Sequence, residues 1–198
     1  MILEGIVTTQ SPSGEMHAAP MGPRVGPTMD RFLLRPFPTS QTYQNLLKHR
    51  EGVFHVTDDV LLLAHAAVGR IDPTPAHFPA AKVRGSVLAE ACRYYEFVVM
   101  SIDDREERVR IEAEVVHTGR LRDFFGFNRA KHAVVEAAIL ATRTGFLPHS
   151  EIVAEYRKLA IIVEKTGGPR EHQAFKFLQA YLDQVVHSRM ADSSEERA

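Results

Sequence analysis

The sequence predicts a mainly β first part followed by a helical second part. The first part holds short apolar runs separated by Pro, Gly, Ser and Asp turns, which is typical of antiparallel strands. After Phe127 the apolar spacing changes from every second residue to every third or fourth. We therefore expect a β barrel or sandwich over residues 1–126, a helical subdomain over 127–190, and a disordered polar tail over 191–198.

The first strands are predicted to form a hairpin. Residues 2–10 and 15–21 are extended segments on either side of a Ser-Pro-Ser-Gly turn, and a third strand runs over 29–34. Pro36 and Pro38 end the third strand, because proline cannot donate a hydrogen bond to a strand ladder.

Two short helices interrupt the strands. Hydroxyl side chains at 39–42 precede a helix with the apolar residues Tyr43, Leu46 and Leu47, and two aspartates precede a second helix that reaches Ala67. A strand is predicted between them over 52–57. The proline-rich stretch 70–81 is predicted to be a loop.

Strands resume at Val83, and 94–102 is rich in aromatic and β-branched residues. In the strand that follows, Val109, Ile111 and Ala113 alternate with charged residues, so one face is buried and the other solvated. The charged run 103–110 is accordingly interpreted as a solvated hairpin tip.

Three helices make up the second part. Asn128 caps a helix over 129–144, a second helix follows Ser150, and Pro169 begins a third. Each helix has an apolar stripe that must be buried against another element.

Four polar residues share one stripe of the first of these three helices. They are Arg129, His132, Glu136 and Arg143. A solvated ladder of ion pairs or a subunit contact is favoured over a catalytic role. His132 and Glu136 lie one turn apart without a third ligand nearby, so we predict no metal site.

Composition excludes several classes of protein. The chain has 24 Lys and Arg against 25 Asp and Glu, which leaves no basic excess for a nucleic-acid partner. Cys92 is the single cysteine, so a disulfide within the chain and a cysteine-built zinc site are excluded. The longest apolar stretch, 60–68, is too short to span a bilayer. With no basic and apolar leader at the start, we expect a cytoplasmic protein without a membrane partner.

Two neighbouring segments combine features of an anion site. Residues 18–23 end a strand with small side chains that leave backbone amides accessible. Arg35 and several polar residues surround the first helix start, where free amides and the helix dipole favour a phosphate. On local grounds alone, a simple helix cap is the better explanation of the hydroxyls.

The chain resembles the FMN-binding split-barrel superfamily. The resemblance is carried by residues 4–14, 17–22, 39–47 and 52–59. The block 127–143 is similar to a branch of unknown function that has a C-terminal helical extension.

The resemblance implies a six-stranded split barrel that forms a homodimer and holds FMN at the subunit interface. The phosphate contacts would fall on Arg35, Thr39, Ser40, Thr42 and Asn45. The isoalloxazine ring would lie against Ala19, Pro20, Met21 and Gly22. No catalytic residue follows from it, since flavin cofactors carry the redox step themselves.

Three functions follow from this resemblance. The leading one is an FMN-dependent oxidoreductase of flavin-reductase type that acts on a small molecule. The second is a non-catalytic binding protein for FMN or another fused-ring ligand such as a pterin. The third is a structural dimer whose helices bind a partner.

Overall fold

The computed structural model describes residues 1–195, and the chain divides into two units. The first unit is Met1–Asp59 with Ile71–Phe125. The second is Val60–Arg70 with the described residues from Gly126 onward. The strands are β1 (Gly5–Gln10), β2 (Met16–Met21), β3 (Arg24–Val25), β4 (Arg31–Leu34), β5 (Glu51–Val56), β6 (His77–Pro79), β7 (Ser86–Leu88), β8 (Arg93–Asp103) and β9 (Arg110–Arg120). The helices are α1 (Gln41–His49), α2 (Val60–Ala67), α3 (Arg129–Ala141), α4 (His149–Thr166) and α5 (Pro169–Glu195).

Seven of the strands form one antiparallel sheet in the order β2-β1-β5-β8-β9-β4-β3. The residues before β1 continue the pairing at the far end, where Ile2 bridges Arg24 and the N–H of Val25 donates to the carbonyl of Met1 over 2.9 Å. This contact links the chain before β1 to β3, so the sheet encloses a common interior while β2 remains an edge strand. The split-barrel fold class is confirmed, with β3 as one strand more than the six expected.

The interior of the first unit is an aromatic cluster. The ring of Phe32 meets the rings of Phe54, Tyr95 and Phe97 edge to face, with centroids 5.4, 5.8 and 6.2 Å apart. All four side chains are buried. Edge-to-face pairs of this kind add directional stability to the burial of apolar surface.

The predicted loop over 70–81 is wrong in part. Its last residues form β6, which pairs with β7 in a separate two-stranded sheet in which Phe78 lies opposite Val87. Pro79 sits at the end of this ribbon, where its missing N–H costs no bond in a longer ladder.

The second unit has its own apolar core. The three predicted C-terminal helices are confirmed as α3, α4 and α5. Asn128 caps α3 by accepting from the N–H of Lys131 over 3.0 Å and donates to the carbonyl of Thr166 over 3.1 Å. The hydroxyl of Tyr156 donates to the carbonyl of Ala137 over 2.6 Å.

Two boundaries differ from expectation. Val60–Arg70 belongs to the helical unit and not to the strand-rich part, because Val60, Leu63 and Ala64 are buried among the residues of α3 to α5. The predicted start of the disordered tail at residue 191 also differs from the structure, since α5 continues to Glu195. The remaining residues of that tail, 196–198, lie outside the described residues.

Candidate functional site

The start of α1 is fixed by Ser40. Its backbone is extended, and its hydroxyl accepts from the N–H of Tyr43 over 3.2 Å while donating to the carbonyl of Phe37 over 2.8 Å. The N–H groups of Gln41 and Thr42 lie in the first turn, where a helix supplies no acceptor of its own. The helix therefore begins with donors that suit an anion.

The cap gives a first prediction. Replacing Ser40 with alanine should lower the free energy of unfolding by about 1 kcal/mol, because the N–H of Tyr43 loses its acceptor. Thr39→Ala is the control, since Thr39 is exposed beside the cap and should change stability by less than about 0.5 kcal/mol. Urea unfolding followed by circular dichroism measures both, and equal losses would contradict the assignment.

A cavity of about 720 Å³ lies beside this helix start. Seven of the nine predicted cofactor-binding residues line it, namely Ala19, Pro20, Met21, Gly22, Arg35, Ser40 and Thr42. The end of β2, the residues after β4 and the first turn of α1 supply them. A cavity of this size is in the range of small-molecule sites.

The other two predicted residues do not line the cavity. Thr39 is exposed to solvent. Asn45 is 1% exposed, donates from Nδ2 to the hydroxyl of Thr9 over 2.9 Å, and accepts from Nε2 of Gln41 over 2.7 Å. Because these bonds use its amide at both ends, Asn45 fastens α1 to β1.

The nitrogen atoms of the Arg35 guanidinium differ in their hydrogen bonding. Its Nη2 donates to Oε2 of Glu106 over 2.8 Å, while its Nε is buried and has no hydrogen-bond partner among the described residues. A buried donor without an acceptor costs free energy, so a ligand oxygen bound to it would be stabilised.

The tip between β8 and β9 contributes residues that sequence reasoning missed. Glu106, Glu107 and Arg108 line the cavity, although the charge pattern alone indicates a solvated face. Arg24, Pro36, Phe37 and Ile2 complete the lining. No local pattern signals this, because it depends on the pairing of β4 with β9 across more than 70 residues, in which Leu34 lies opposite Ile111.

The same tip carries a strong local ion pair. The side chain and backbone of Arg105 donate to Asp103, and these hydrogen bonds hold the pKa of that carboxyl well below its usual range. The guanidinium of Arg108 lies 4.1 Å from the ring centroid of Phe37. Both contacts give the tip a defined shape.

His55 and Cys92 are among the buried titratable groups that lie outside the cavity lining. Burial lowers the pKa of His55 to about 4, against a smaller opposing effect of its bond to the carbonyl of Ile6. Cys92 is 1% exposed, and burial raises the pKa of its thiol. A thiol in this position is expected to be unreactive, since a buried thiol carries little thiolate.

The predicted polar stripe is a surface feature, and its last residue, Arg143, lies beyond α3, which ends at Ala141. Arg129, His132, Glu136 and Arg143 are all exposed, and no ion pair joins them among the described residues. The ladder of ion pairs is therefore not formed. Within residues 1–195 no group of three or more His, Cys, Asp or Glu side chains is arranged to hold a metal, and no helix is long and apolar enough to cross a membrane.

Solved structures share this fold. An FMN-bound protein of Methanosarcina mazei matches with a TM-score of 0.79 and 23% identity over 91% of this chain and 94% of that one. An FMN-binding protein of Thermus thermophilus gives 0.50 and 16% over 60% and 70%. An NADH:FAD oxidoreductase of Streptomyces globisporus gives 0.51 and 15% over 59% and 70%.

The strand order and the helical unit define a split-barrel protein with a C-terminal helical extension, of the flavin-reductase-like class of folds. The sequence matches the family model described as "Protein of unknown function (DUF447) N-terminal domain" over residues 3–122, and its "Protein of unknown function (DUF447)" counterpart over 128–180. The chain belongs to the DUF447 family. This confirms the predicted superfamily and branch. No curated protein matches the sequence.

Proposed function

We propose that this protein binds FMN in the cavity beside α1 and acts as a flavin-dependent oxidoreductase of reductase type on a small molecule. The observation that carries the proposal is a cavity that seven of the nine expected residues line, among them Arg35, whose buried Nε has no hydrogen-bond partner among the described residues. The FMN-bound protein from Methanosarcina mazei, which is of the DUF447 family as well, supports the choice of ligand.

The phosphate end of the site is built from Arg35 and the first turn of α1. Arg35 brings a guanidinium charge to the cavity lining, with an Nε that has no partner among the described residues, and the N–H groups of Gln41 and Thr42 add the positive end of the helix dipole. Charge-assisted bonds from a guanidinium to a phosphate are among the stronger hydrogen bonds in proteins. These groups suit the terminal phosphate of FMN.

The ring end is built from the end of β2. This strand pairs only with β1, so one side of its backbone has no partner strand among the described residues. Such an edge offers N–H and C=O groups to a ligand. The small side chain of Ala19 lets a flat ring approach the backbone, whereas the side chains of Ile2 and Glu4 occupy the space that a side chain at Gly22 would need.

Bound FMN would supply the two-electron redox chemistry, and the protein would bind, orient and shield it. In the described lining the titratable groups are Glu106, Glu107 and three arginines, without histidine, cysteine or lysine. This lack of a general acid or base near neutral pH favours the second candidate, a protein that holds FMN without turnover.

The visible spectrum of the purified protein separates these functions. A yellow protein, or one that turns yellow with added FMN and bleaches on anaerobic addition of NADH or NADPH, supports the reductase. A yellow protein that does not bleach supports the binding protein. A colourless protein that does not bind added FMN contradicts both.

We also propose that the protein is a homodimer. Besides the open edge of β2, it exposes large apolar side chains, with Phe125 89% and Phe127 95% accessible. Exposed aromatic residues and unpaired edges are typical of surfaces that are covered in an assembly.

Sedimentation at micromolar concentration should give about 44 kDa, twice the 22.2 kDa of one chain. Phe125→Ser should weaken the association, whereas Phe78→Ser on β6 is a control with a less exposed aromatic residue. A monomer that still binds FMN would contradict the dimer.

A further inference from the structure

The anion that contacts Arg35 in this structure is the protein's own carboxylate. Oε2 of Glu106 lies 2.8 Å from Nη2 of Arg35, and the two side chains are 55% and 30% exposed. Glu107 lines the same cavity, and no ion pair of its carboxylate occurs among the described residues. Of these two neighbouring glutamates, Glu106 is therefore the one that forms an ion pair with Arg35.

Glu106 is brought to this position by a tip that is fastened to the other wall of the cavity. The N–H of Val109 donates to the carbonyl of Pro36 over 3.1 Å, and Pro36 is the residue that follows Arg35. The hydroxyl of Tyr43 on α1 donates to Asp104 over 3.3 Å. With Arg108 stacked on Phe37, these contacts tie the tip to the segment that leads into α1.

We propose that Glu106 is an internal competitor for the ligand phosphate at Arg35. It occupies Nη2 and holds the guanidinium in place while no phosphate is bound, and an incoming phosphate must displace it to use both edges of the arginine. Glu106 is thus a positioning residue that lowers affinity for phosphorylated flavins and makes bound FMN exchangeable. The inference rests on the proposed function.

The charges favour displacement of the Glu106 carboxylate from Arg35 by a phosphate. The resulting change in FMN affinity is small. A phosphate monoester carries close to two negative charges at neutral pH, against one for the carboxylate it replaces. An ion pair with side chains this exposed changes an equilibrium constant by no more than about fivefold.

The experiment compares Glu106→Gln with Glu112→Gln by titrating each protein with FMN and with riboflavin. We expect Glu106→Gln to tighten FMN binding about two- to fivefold and to slow FMN dissociation, because the competitor is neutral. Riboflavin, which has no phosphate, should bind unchanged. Glu112→Gln removes the same charge from an exposed position on β9, outside the cavity lining, and should change FMN affinity by less than about twofold, since exposed charges are screened.

A second pair of variants tests whether Glu106 acts through Arg35. In an Arg35→Ala background, Glu106→Gln should no longer change FMN affinity. Persistence of the effect there, or weaker or unchanged FMN binding by Glu106→Gln alone, overturns the inference while leaving FMN binding intact. A wild-type protein that does not bind FMN overturns the proposed function and the inference together.

Discussion

Replacing Arg35 with alanine is expected to weaken FMN binding ten- to a hundredfold. The variant loses the guanidinium that lines the cavity, with its buried Nε, and the ion pair with Glu106. Loss of one hydrogen bond to a charged group costs about 1.5–3 kcal/mol, which gives that range of affinity. Riboflavin affinity should remain within about twofold, because the ring end of the cavity does not change. Fluorescence titration with both ligands measures the difference.

Arg31→Ala is the matched control for this result. Arg31 is an exposed arginine at the start of β4, the strand that Arg35 follows, but it lies outside the cavity lining. Its removal changes the net charge by the same amount and should leave FMN affinity within about twofold. If Arg35→Ala weakened FMN and riboflavin equally, Arg35 would support the fold of the cavity and would not bind the phosphate.

Acidification is expected to destabilise the first unit through His55. The ring is fully buried, its Nδ1–H donates to the carbonyl of Ile6 over 3.1 Å, and its Nε2 accepts from the N–H of Leu88 over 3.0 Å. Both nitrogens are thus used by the neutral ring. A proton on Nε2 would remove the acceptor for Leu88 and place a charge in the interior.

The direction of the pH effect follows from the lowered pKa of His55. The folded protein takes up a proton near pH 4, whereas the unfolded chain does so at the ordinary value of 6.5. Between these values the unfolded state binds more protons, so the free energy of unfolding falls as the pH falls from 6.5 to 4. The total loss is about 3 kcal/mol, because a tenfold difference in proton affinity between the two states corresponds to about 1.4 kcal/mol.

Urea unfolding at several pH values, followed by circular dichroism, tests this effect. His55→Gln should be less stable at pH 7, because a buried bond is lost, but its stability should vary less between pH 6.5 and 4. His132→Gln is the control, since His132 is exposed and should keep the wild-type dependence. Parallel curves for wild type and His55→Gln would show that His55 does not control acid stability.

Local signals in the sequence were enough for much of this fold. The Ser-Pro-Ser-Gly turn predicts the hairpin of β1 and β2, which the register from Gly5 opposite Met21 to Gln10 opposite Met16 confirms. The caps Ser40 and Asn128 predict the starts of α1 and α3, and both side chains accept the expected N–H. These features depend on residues within a few positions of each other, so composition and spacing reveal them.

The remaining wall of the cavity could not be predicted in this way. The position of Glu106 depends on which strand β9 pairs with, and the sequence of the tip indicates only that it is charged and turns. Asn45 was expected to contact the phosphate but does not line the cavity. Its side-chain amide donates to Thr9 and fastens α1 to β1. Long-range pairing decided both outcomes.

The position of α2 in the chain has a consequence for synthesis on the ribosome. Its apolar residues Val60, Leu63 and Ala64 are buried against helices that begin only at Arg129 and end beyond Leu178. More than sixty residues, including the strands β6 to β9, emerge between α2 and those partners. In a nascent chain, α2 therefore lacks its packing partners until the last third of the protein has been made. In a polypeptide that ends at residue 126, α2 would never acquire them. We therefore expect such a shortened product to depend on chaperones or to aggregate, however well its strands pair.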